Sequence, residues 1–194
     1  MFKALCASVA LLSVSTVGAV ETVTLNDGNL ILEDIPAIPQ EVANDLNRFQ
    51  NVRSAGVIDW TADGESIYIS TRFADVNQIH RVDQPGGARH QLTFFSEPVG
   101  GVERQPGSRL LTFTQDAGGS EFAQIFTLDP ATGNTRMLTD GESRNGAIEW
   151  NRDGTRLAYQ STRRNGASND LWIMDAGDPA SAKTVLESPD GTWW

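Results

Sequence analysis

The chain has 194 residues, of which 39% are hydrophobic and 21% are charged, so it is long enough and apolar enough to fold around a core. The 25 acidic and 15 basic side chains give a formal charge of -10, which disfavours binding to phosphate backbones and anionic membrane surfaces. We therefore expect a globular protein with no nucleic-acid partner, and not a collagen, a coiled coil or a disordered chain.

Residues 1–19 have the pattern of a secretory signal peptide. Lys3 is followed by a run of apolar and small residues that ends in Val17-Gly18-Ala19, which predicts cleavage after Ala19. An uncleaved membrane anchor is the alternative, but the run is shorter than the roughly 20 residues that span a bilayer. Cys6 precedes the apolar run, which disfavours a lipoprotein, and cleavage would leave no cysteine. We expect an exported protein, periplasmic or secreted, with no membrane contact after cleavage.

Residues 20–55 are predicted to form a short strand and helix segment. Val, Thr, Leu and Ile alternate around Asn26-Asp27-Gly28, a favoured turn between two strands. Apolar residues at helical spacing then predict an amphipathic helix near residues 40–50: Val42, Leu46 and Phe49.

A spacing of 46 residues relates three segments of the rest of the chain. It separates Asp83, Asp129 and Asp175, and it also separates Ile79, Ile125 and Leu171. Each segment is predicted to contain four short strands joined by turns, of which the first turn contains Gly64, Gly107 or Gly154.

Four short strands in each repeat predict an all-β chain with a β-propeller over residues 56–194. The predicted four-stranded antiparallel blades are residues 56–97, 98–144 and 145–194. A single β-sandwich is the alternative, but it would leave the 46-residue register unexplained. Closed propellers use about 4 to 8 blades, so we expect the chain to be a propeller fragment.

Most repeated residues are predicted to be structural. The three aspartates follow a strand, where a carboxylate can accept hydrogen bonds from backbone N–H groups two residues on. Trp60, Trp150 and Trp172 are predicted to pack between blades. His80 and His90 lack metal-ligand spacing, so we predict that they lie on strand surfaces. We expect no metal site and no cofactor.

Several strings resemble the N-terminal propeller of the prolyl oligopeptidase family of serine peptidases, in particular dipeptidyl aminopeptidases and acylaminoacyl-peptidases. They are N-V-R-S-A at 51–55, D-W-x-x-D-G at 59–64, P-G-G-A-R-H-Q-L-T-F at 85–94 and Q-D-A-G-G-S-E-F at 115–122. The resemblance implies a propeller that filters substrates, joined to an α/β-hydrolase domain that carries Ser, Asp and His. The chain contains no G-x-S-x-G string, so no catalytic residue of the family carries over and we expect this chain alone to be inactive.

Glu121 is the one candidate substrate-binding residue. Related peptidases use propeller glutamates to hold the free amino group of the substrate, and a carboxylate suits an ammonium group that leaves water. The alternative is a solvent-facing loop acid. Arg72 and Arg163-Arg164 occupy similar loops, where ion pairs across blades are expected.

Two functions follow from this sequence. In the first, the chain is the non-catalytic propeller part of an exported serine peptidase and gates or orients oligopeptides for a hydrolase domain that the chain lacks. In the alternative, it is a TolB-like propeller that binds proteins in the periplasm without catalysis.

Overall fold

A computed structural model describes residues 20–189, so the predicted signal peptide lies outside the described residues. The chain divides into two units between Val52 and Arg53. No helix in the described part of the chain is both long and apolar enough to cross a membrane.

The N-terminal unit contains the predicted hairpin and helix. Strands β1 (Thr22–Leu25) and β2 (Leu30–Glu33) pair antiparallel. The turn between them has Asn26 and Asp27 in the left-handed region, with φ of 51° and 53°, which Asn and Asp tolerate better than most residues. Helix α1 (Gln40–Gln50) begins directly after Pro39, whose fixed φ favours a helix start.

The second unit contains three four-stranded antiparallel sheets, each built from strands that are consecutive in the chain. The first sheet contains β3 (Ala55–Trp60), β4 (Ile67–Thr71), β5 (Gln78–Val82) and β6 (His90–Gln91). The second contains β7 (Gly100–Arg104), β8 (Leu111–Gln115), β9 (Gln124–Leu128) and β10 (Thr135–Met137). The third contains β11 (Asn145–Trp150), β12 (Arg156–Ser161), β13 (Asp170–Asp175) and β14 (Asp178–Leu186).

The sheets pack face to face in chain order, and this confirms the predicted β-propeller fold with three four-stranded sheets. The first strand of the second sheet, β7, contacts both β3 and β11, so the first strands lie side by side along one edge of the array, which we call the inner edge. One hydrophobic core lies between the first and second sheets and includes Tyr68, Ile79 and Phe113. A second core lies between the second and third sheets and includes Ile125, Tyr159 and Trp172.

The repeated aspartates lie at the same corner of each sheet, at the end of the third strand. Only Asp129 makes the predicted turn contact, in which the backbone N–H of Ala131 donates to its carboxylate at 3.0 Å. All three carboxylates, including that of Asp129, bind the residue two positions after the turn glycine of their own sheet, which is Ser66, Arg109 or Arg156. The corner is therefore held by contacts between strands.

The tryptophans differ from one another in packing. Trp172 is buried, and the Trp150 indole N–H donates to the Thr112 hydroxyl of the second sheet at 3.1 Å, so both pack between sheets as predicted. The prediction is wrong for Trp60, which is 59% exposed, because it points to the side of the first sheet that no other sheet of residues 53–189 covers.

The prediction that both histidines lie on strand surfaces is wrong for His80. This side chain is fully buried beside the Phe73 ring, at 5.3 Å between ring centroids, and its Nδ1 lies 3.1 Å from the Gln78 carbonyl oxygen. Burial lowers the pKa of His80, so the neutral imidazole is favoured. His90 is exposed, with Nε2 3.6 Å from the Asp83 carboxylate.

Candidate functional site

Glu121 lies in the loop at 116–123 that joins β8 to β9. The loop begins with Asp116, whose Oδ2 accepts a hydrogen bond from the Glu121 backbone N–H at 2.9 Å. Gly118 and Gly119 adopt φ of 62° and 70°, so the Gly-Gly pair allows the chain to turn back towards Asp116. The sequence therefore folds this loop into a closed turn that presents Glu121 at the surface.

Glu121 itself adopts a φ of 64°. This left-handed conformation is uncommon for a residue with a side chain, and single residues of this kind are found at binding sites where the surroundings hold them. Here the hydrogen bond to Asp116 supplies part of that restraint.

A shallow pocket of about 190 Å³ lies beside this loop. Its walls are the start of the inner strand β7, the end of β8 and the loop at 116–123, and its lining includes Val99, Gly100, Thr114, Asp116 and Glu121. Two carboxylates and no cationic side chain line it, so the pocket suits a small cationic group next to an apolar one.

The arginines of the third sheet are engaged in ion pairs. Arg163 Nε lies 3.5 Å from the Asp140 carboxylate, which belongs to the segment after the second sheet, and its guanidinium lies 5.4 Å from the Trp172 ring. This is the predicted pairing across blades. Arg164 instead binds Asp170 of its own sheet, with 2.5 Å between Nε and Oδ2. Neither arginine lines the pocket at Glu121.

One buried polar position was missed by the sequence analysis. The first residue of each third strand is Gln78, Gln124 or Asp170, and these three residues are also 46 apart. Each is at most 7% exposed and is bound to the segment that follows its own sheet: Gln78 to Phe95 and Glu97, Gln124 to Ser143, and Asp170 to Ser188. The 46-residue spacing of these three residues could have revealed the position from the sequence.

Gln124 is the most highly connected of the three and closes the loop that carries Glu121. Its amide N–H group donates to the carbonyl oxygens of Phe122 and Ser143, at 3.0 and 2.6 Å. Its Oε1 accepts from the Thr139 hydroxyl at 2.7 Å and from the Gly141 backbone N–H at 2.9 Å. The end of the Glu121 loop is thereby fixed to the chain entering the third sheet.

No protein-family model matches the chain, and neither does any curated protein. Solved structures do share its fold at 15 to 21% sequence identity. TolB from Acinetobacter baumannii matches with a TM-score of 0.54 and 19% identity over 86% of this chain and 37% of that one. A prolyl endopeptidase matches with a TM-score of 0.57 and 15% identity over 78% of this chain and 24% of that one.

Puromycin hydrolase also matches, with a TM-score of 0.52 and 21% identity over 71% of this chain and 21% of that one. The chain therefore spans less than two fifths of each of these three structures. The resemblance seen in the sequence is confirmed at the level of the fold. The chain has the β-propeller fold of TolB-like domains and of peptidases of the prolyl oligopeptidase family.

Proposed function

We propose that this chain is the non-catalytic propeller part of an exported serine peptidase of the prolyl oligopeptidase family. In this role it gates or orients oligopeptide substrates for an α/β-hydrolase domain that supplies the chemistry. The observation that carries the proposal is the pocket in which Glu121 and Asp116 lie next to apolar Val99, at the inner end of the second sheet.

The chemistry of this pocket matches the free amino end of a peptide. An ammonium group donates up to three hydrogen bonds, and carboxylates bind it more strongly than neutral acceptors because the bond is charge-assisted. Asp116 already accepts the Glu121 backbone N–H through Oδ2, which leaves the exposed Glu121 carboxylate as the main contact for a ligand. The apolar wall would contact the first side chain of the peptide.

Peptide titrations of residues 20–194 test this proposal. We expect Ala-Ala-Phe with a free amino group to shift the amide NMR signals of Val99, Gly100 and Glu121, and the N-acetylated peptide to leave them unchanged. Glu121→Gln should weaken binding at least fivefold, since it removes the charge from an interaction with a cation, typically about 1.5–3 kcal/mol. The matched control is Glu65→Gln, which removes an exposed carboxylate at a turn of the first sheet.

Equal binding of the acetylated and free peptides would contradict the role of Glu121.

The alternative function is a TolB-like module that binds proteins in the periplasm without catalysis. The match to TolB favours it, because that match covers 86% of this chain. Under the alternative, neither peptide binds and Glu121→Gln changes nothing in the titration.

A further inference from the structure

A pocket of about 390 Å³ lies between the first and second sheets. It is at the end of the strands opposite the loop that carries Glu121, beside the first turns of the two sheets. We call it the Tyr68 pocket. Its lining includes charged and aromatic side chains from both sheets: Asp63, Tyr68, Arg81, Asp83 and Arg109.

Tyr68 is a buried side chain of this pocket. It is 3% exposed, and its ring packs in the core between the two sheets. Its hydroxyl forms no hydrogen bond with another residue of 20–189. A hydroxyl withdrawn from water without a partner costs free energy, which a ligand in the pocket would recover. Burial raises the pKa of Tyr68, so the phenol stays protonated and able to donate.

Two guanidinium groups line the pocket together with Tyr68. Arg81 is the register partner of Tyr68, so both side chains lie on the face turned to the second sheet. Arg81 binds Asp83 through Nε at 2.7 Å and Nη2 at 3.4 Å. Arg109 binds Asp129 through the same two atoms. These ion pairs orient both guanidinium groups and leave each Nη1 without a hydrogen bond to another described residue.

The carboxylates that line the pocket are already engaged by the fold. Asp63 Oδ1 accepts hydrogen bonds from the Thr61 hydroxyl at 2.6 Å and from the Glu65 backbone N–H at 3.1 Å. Asp83 is held by Arg81. The strongest unused groups of the pocket are therefore donors, namely the phenol hydroxyl and the two Nη1 groups. Such a set favours a ligand that accepts hydrogen bonds.

The gap between the second and third sheets differs at the equivalent place. Thr112 and Thr127 form the corresponding register pair, so the phenol and the guanidinium are both absent there. The Gln105 side-chain amide donates to the Gly154 carbonyl oxygen at 2.7 Å and joins the first turns of these two sheets. No hydrogen bond between described residues joins the first turns of the first and second sheets. The Tyr68 pocket is thus a feature of one gap and not of the repeat.

We propose that the Tyr68 pocket binds a carboxylate of a peptide, either its C terminus or an acidic side chain. A carboxylate presents two acceptor oxygens, and guanidinium and hydroxyl donors bind it through charge-assisted hydrogen bonds. Tyr68 donates its O–H to the bound group, and Arg81 and Arg109 donate from Nη1.

The surroundings of the pocket favour a ligand with a single negative charge. The carboxylates of Asp63 and Asp83 line it, and that of Asp129 is bound to Arg109 beside it. They repel a doubly charged phosphate more strongly than a carboxylate. Ala62 and Ala131 add small apolar surface to the lining, which suits the carbon atoms next to the carboxylate.

NMR titrations of this chain at low ionic strength with three N-acetylated peptides test the inference. Ac-Ala-Ala has a C-terminal carboxylate, amidated Ac-Ala-Glu has only a side-chain carboxylate, and amidated Ac-Ala-Ala has neither. We expect one or both of the first two peptides, and not the third, to shift the amide signals of Tyr68, Arg81 and Ala131. Acetylation removes the amino group, so the test is independent of Glu121, and the inference does not rest on peptide binding there.

Two variants test the donors. Tyr68→Phe removes the hydroxyl but keeps the ring in the core, and Arg109→Gln removes a guanidinium; each should weaken carboxylate binding about fivefold or more. Tyr159→Phe, at a buried tyrosine between the second and third sheets, and Arg156→Gln, at the Asp175 corner, are the matched controls and should leave binding unchanged. Thermal unfolding followed by circular dichroism checks that all variants are folded.

The three peptides also identify the source of the carboxylate. Shifts with Ac-Ala-Ala alone assign a C terminus, shifts with amidated Ac-Ala-Glu alone assign an acidic side chain, and shifts with both assign a carboxylate in either setting. Equal shifts with the third peptide, no shift with any peptide, or tighter binding of inorganic phosphate would each overturn the proposal. Unchanged affinity in Tyr68→Phe or in Arg109→Gln would do the same.

Discussion

Arg109 and Asp129 form a bidentate ion pair at the corner of the second sheet, with Nε 2.8 Å from Oδ1 and Nη2 2.7 Å from Oδ2. The pair joins the residue after the first turn of the sheet to the end of its third strand. The equivalent corner of the first sheet uses the Ser66 hydroxyl, at 3.0 Å from Asp83. The repeat therefore conserves the position of the contact but not its chemistry.

This ion pair predicts a local pH dependence. The Arg109 guanidinium, followed by the Ala131 backbone N–H, lowers the pKa of Asp129 to about 2. Because the folded-state pKa lies below the unfolded value of roughly 3.9, the contribution of this group to stability is present above pH 4 and is lost as the pH falls through about 2. We expect a carboxyl NMR titration of Asp129 to have its midpoint near pH 2.

Arg109→Ala should move that midpoint up towards the ordinary aspartate value and reduce the loss of stability between pH 4 and 2. Arg152→Ala is the matched control, since it removes the same charge from an exposed position. If both variants shifted the Asp129 midpoint equally, net charge and not the direct pair would set the pKa.

The indole hydrogen bond between the second and third sheets predicts unequal effects for two Trp→Phe changes. Trp150→Phe removes the bond to Thr112 and part of a packed side chain, and it should lower the free energy of unfolding by about 2 kcal/mol. Trp60→Phe alters an exposed ring and should change it by less than about 0.5 kcal/mol. Urea denaturation measures both, and similar losses would argue against a specific role for the Trp150 indole.

The turns of the second and third sheets approach each other closely at Gly154. A Cβ at this position would lie 2.1 Å from the Pro106 carbonyl oxygen, and the φ of 68° also disfavours a side chain. Gly154→Ala should therefore cost about 3–4 kcal/mol of unfolding free energy, from overlap and backbone strain together. Gly64→Ala, at the equivalent turn of the first sheet, meets no atom within 4 Å and should cost only the strain of about 1 kcal/mol. Equal losses in thermal unfolding would show that the Pro106 contact relaxes.

Gln124 should be among the most sensitive polar residues of the chain. Gln124→Ala leaves the Ser143 carbonyl, the Thr139 hydroxyl and the Gly141 N–H without this partner. The substitution should therefore lower the free energy of unfolding by about 2–4 kcal/mol. The exposed Gln84 is the matched control, and Gln84→Ala should change stability by less than about 0.5 kcal/mol. Amide exchange at 116–123 should rise in the first variant only; unchanged exchange there would mean that Gln124 does not hold the loop.

Export predicts a defined N terminus. Protein recovered from the periplasm or the medium should begin at Val20, because the Val17-Gly18-Ala19 sequence places the cleavage site after Ala19. Edman sequencing reads this directly. Recovery of Met1 in the membrane fraction would instead indicate the uncleaved anchor.

The strands were predictable because the turn residues and the 46-residue spacing can be read directly from the sequence. The turn contact between Ala131 and Asp129, the hairpin at Asn26 and the helix after Pro39 all depend on residues close together in the chain. Trp60 and His80 were not predictable in this way. Their burial depends on which sheet or loop covers them, and His80 is covered by Phe73 from the preceding loop.

The candidate site was predictable only in part. The resemblance selected Glu121, but the pocket also depends on Gly100 at the start of β7 and on Val99 directly before it, and the restraint on Glu121 depends on Asp116. Gln124 was overlooked because a glutamine at a strand start carries no obvious role by itself. Apart from Phe122, its partners follow it by 15 to 21 residues, so only the fold reveals them.

The anchoring of each loop by the first residue of the third strand has an engineering consequence. The connection at 72–77 has six residues and the connection at 116–123 has eight, yet both end at a glutamine bound to the chain beyond the sheet. Loop length is therefore uncoupled from strand register. Foreign peptides inserted between Ala117 and Ser120 should be displayed without disturbing the strands, provided that Gln124 is retained, and the array could serve as a scaffold for randomised binding loops.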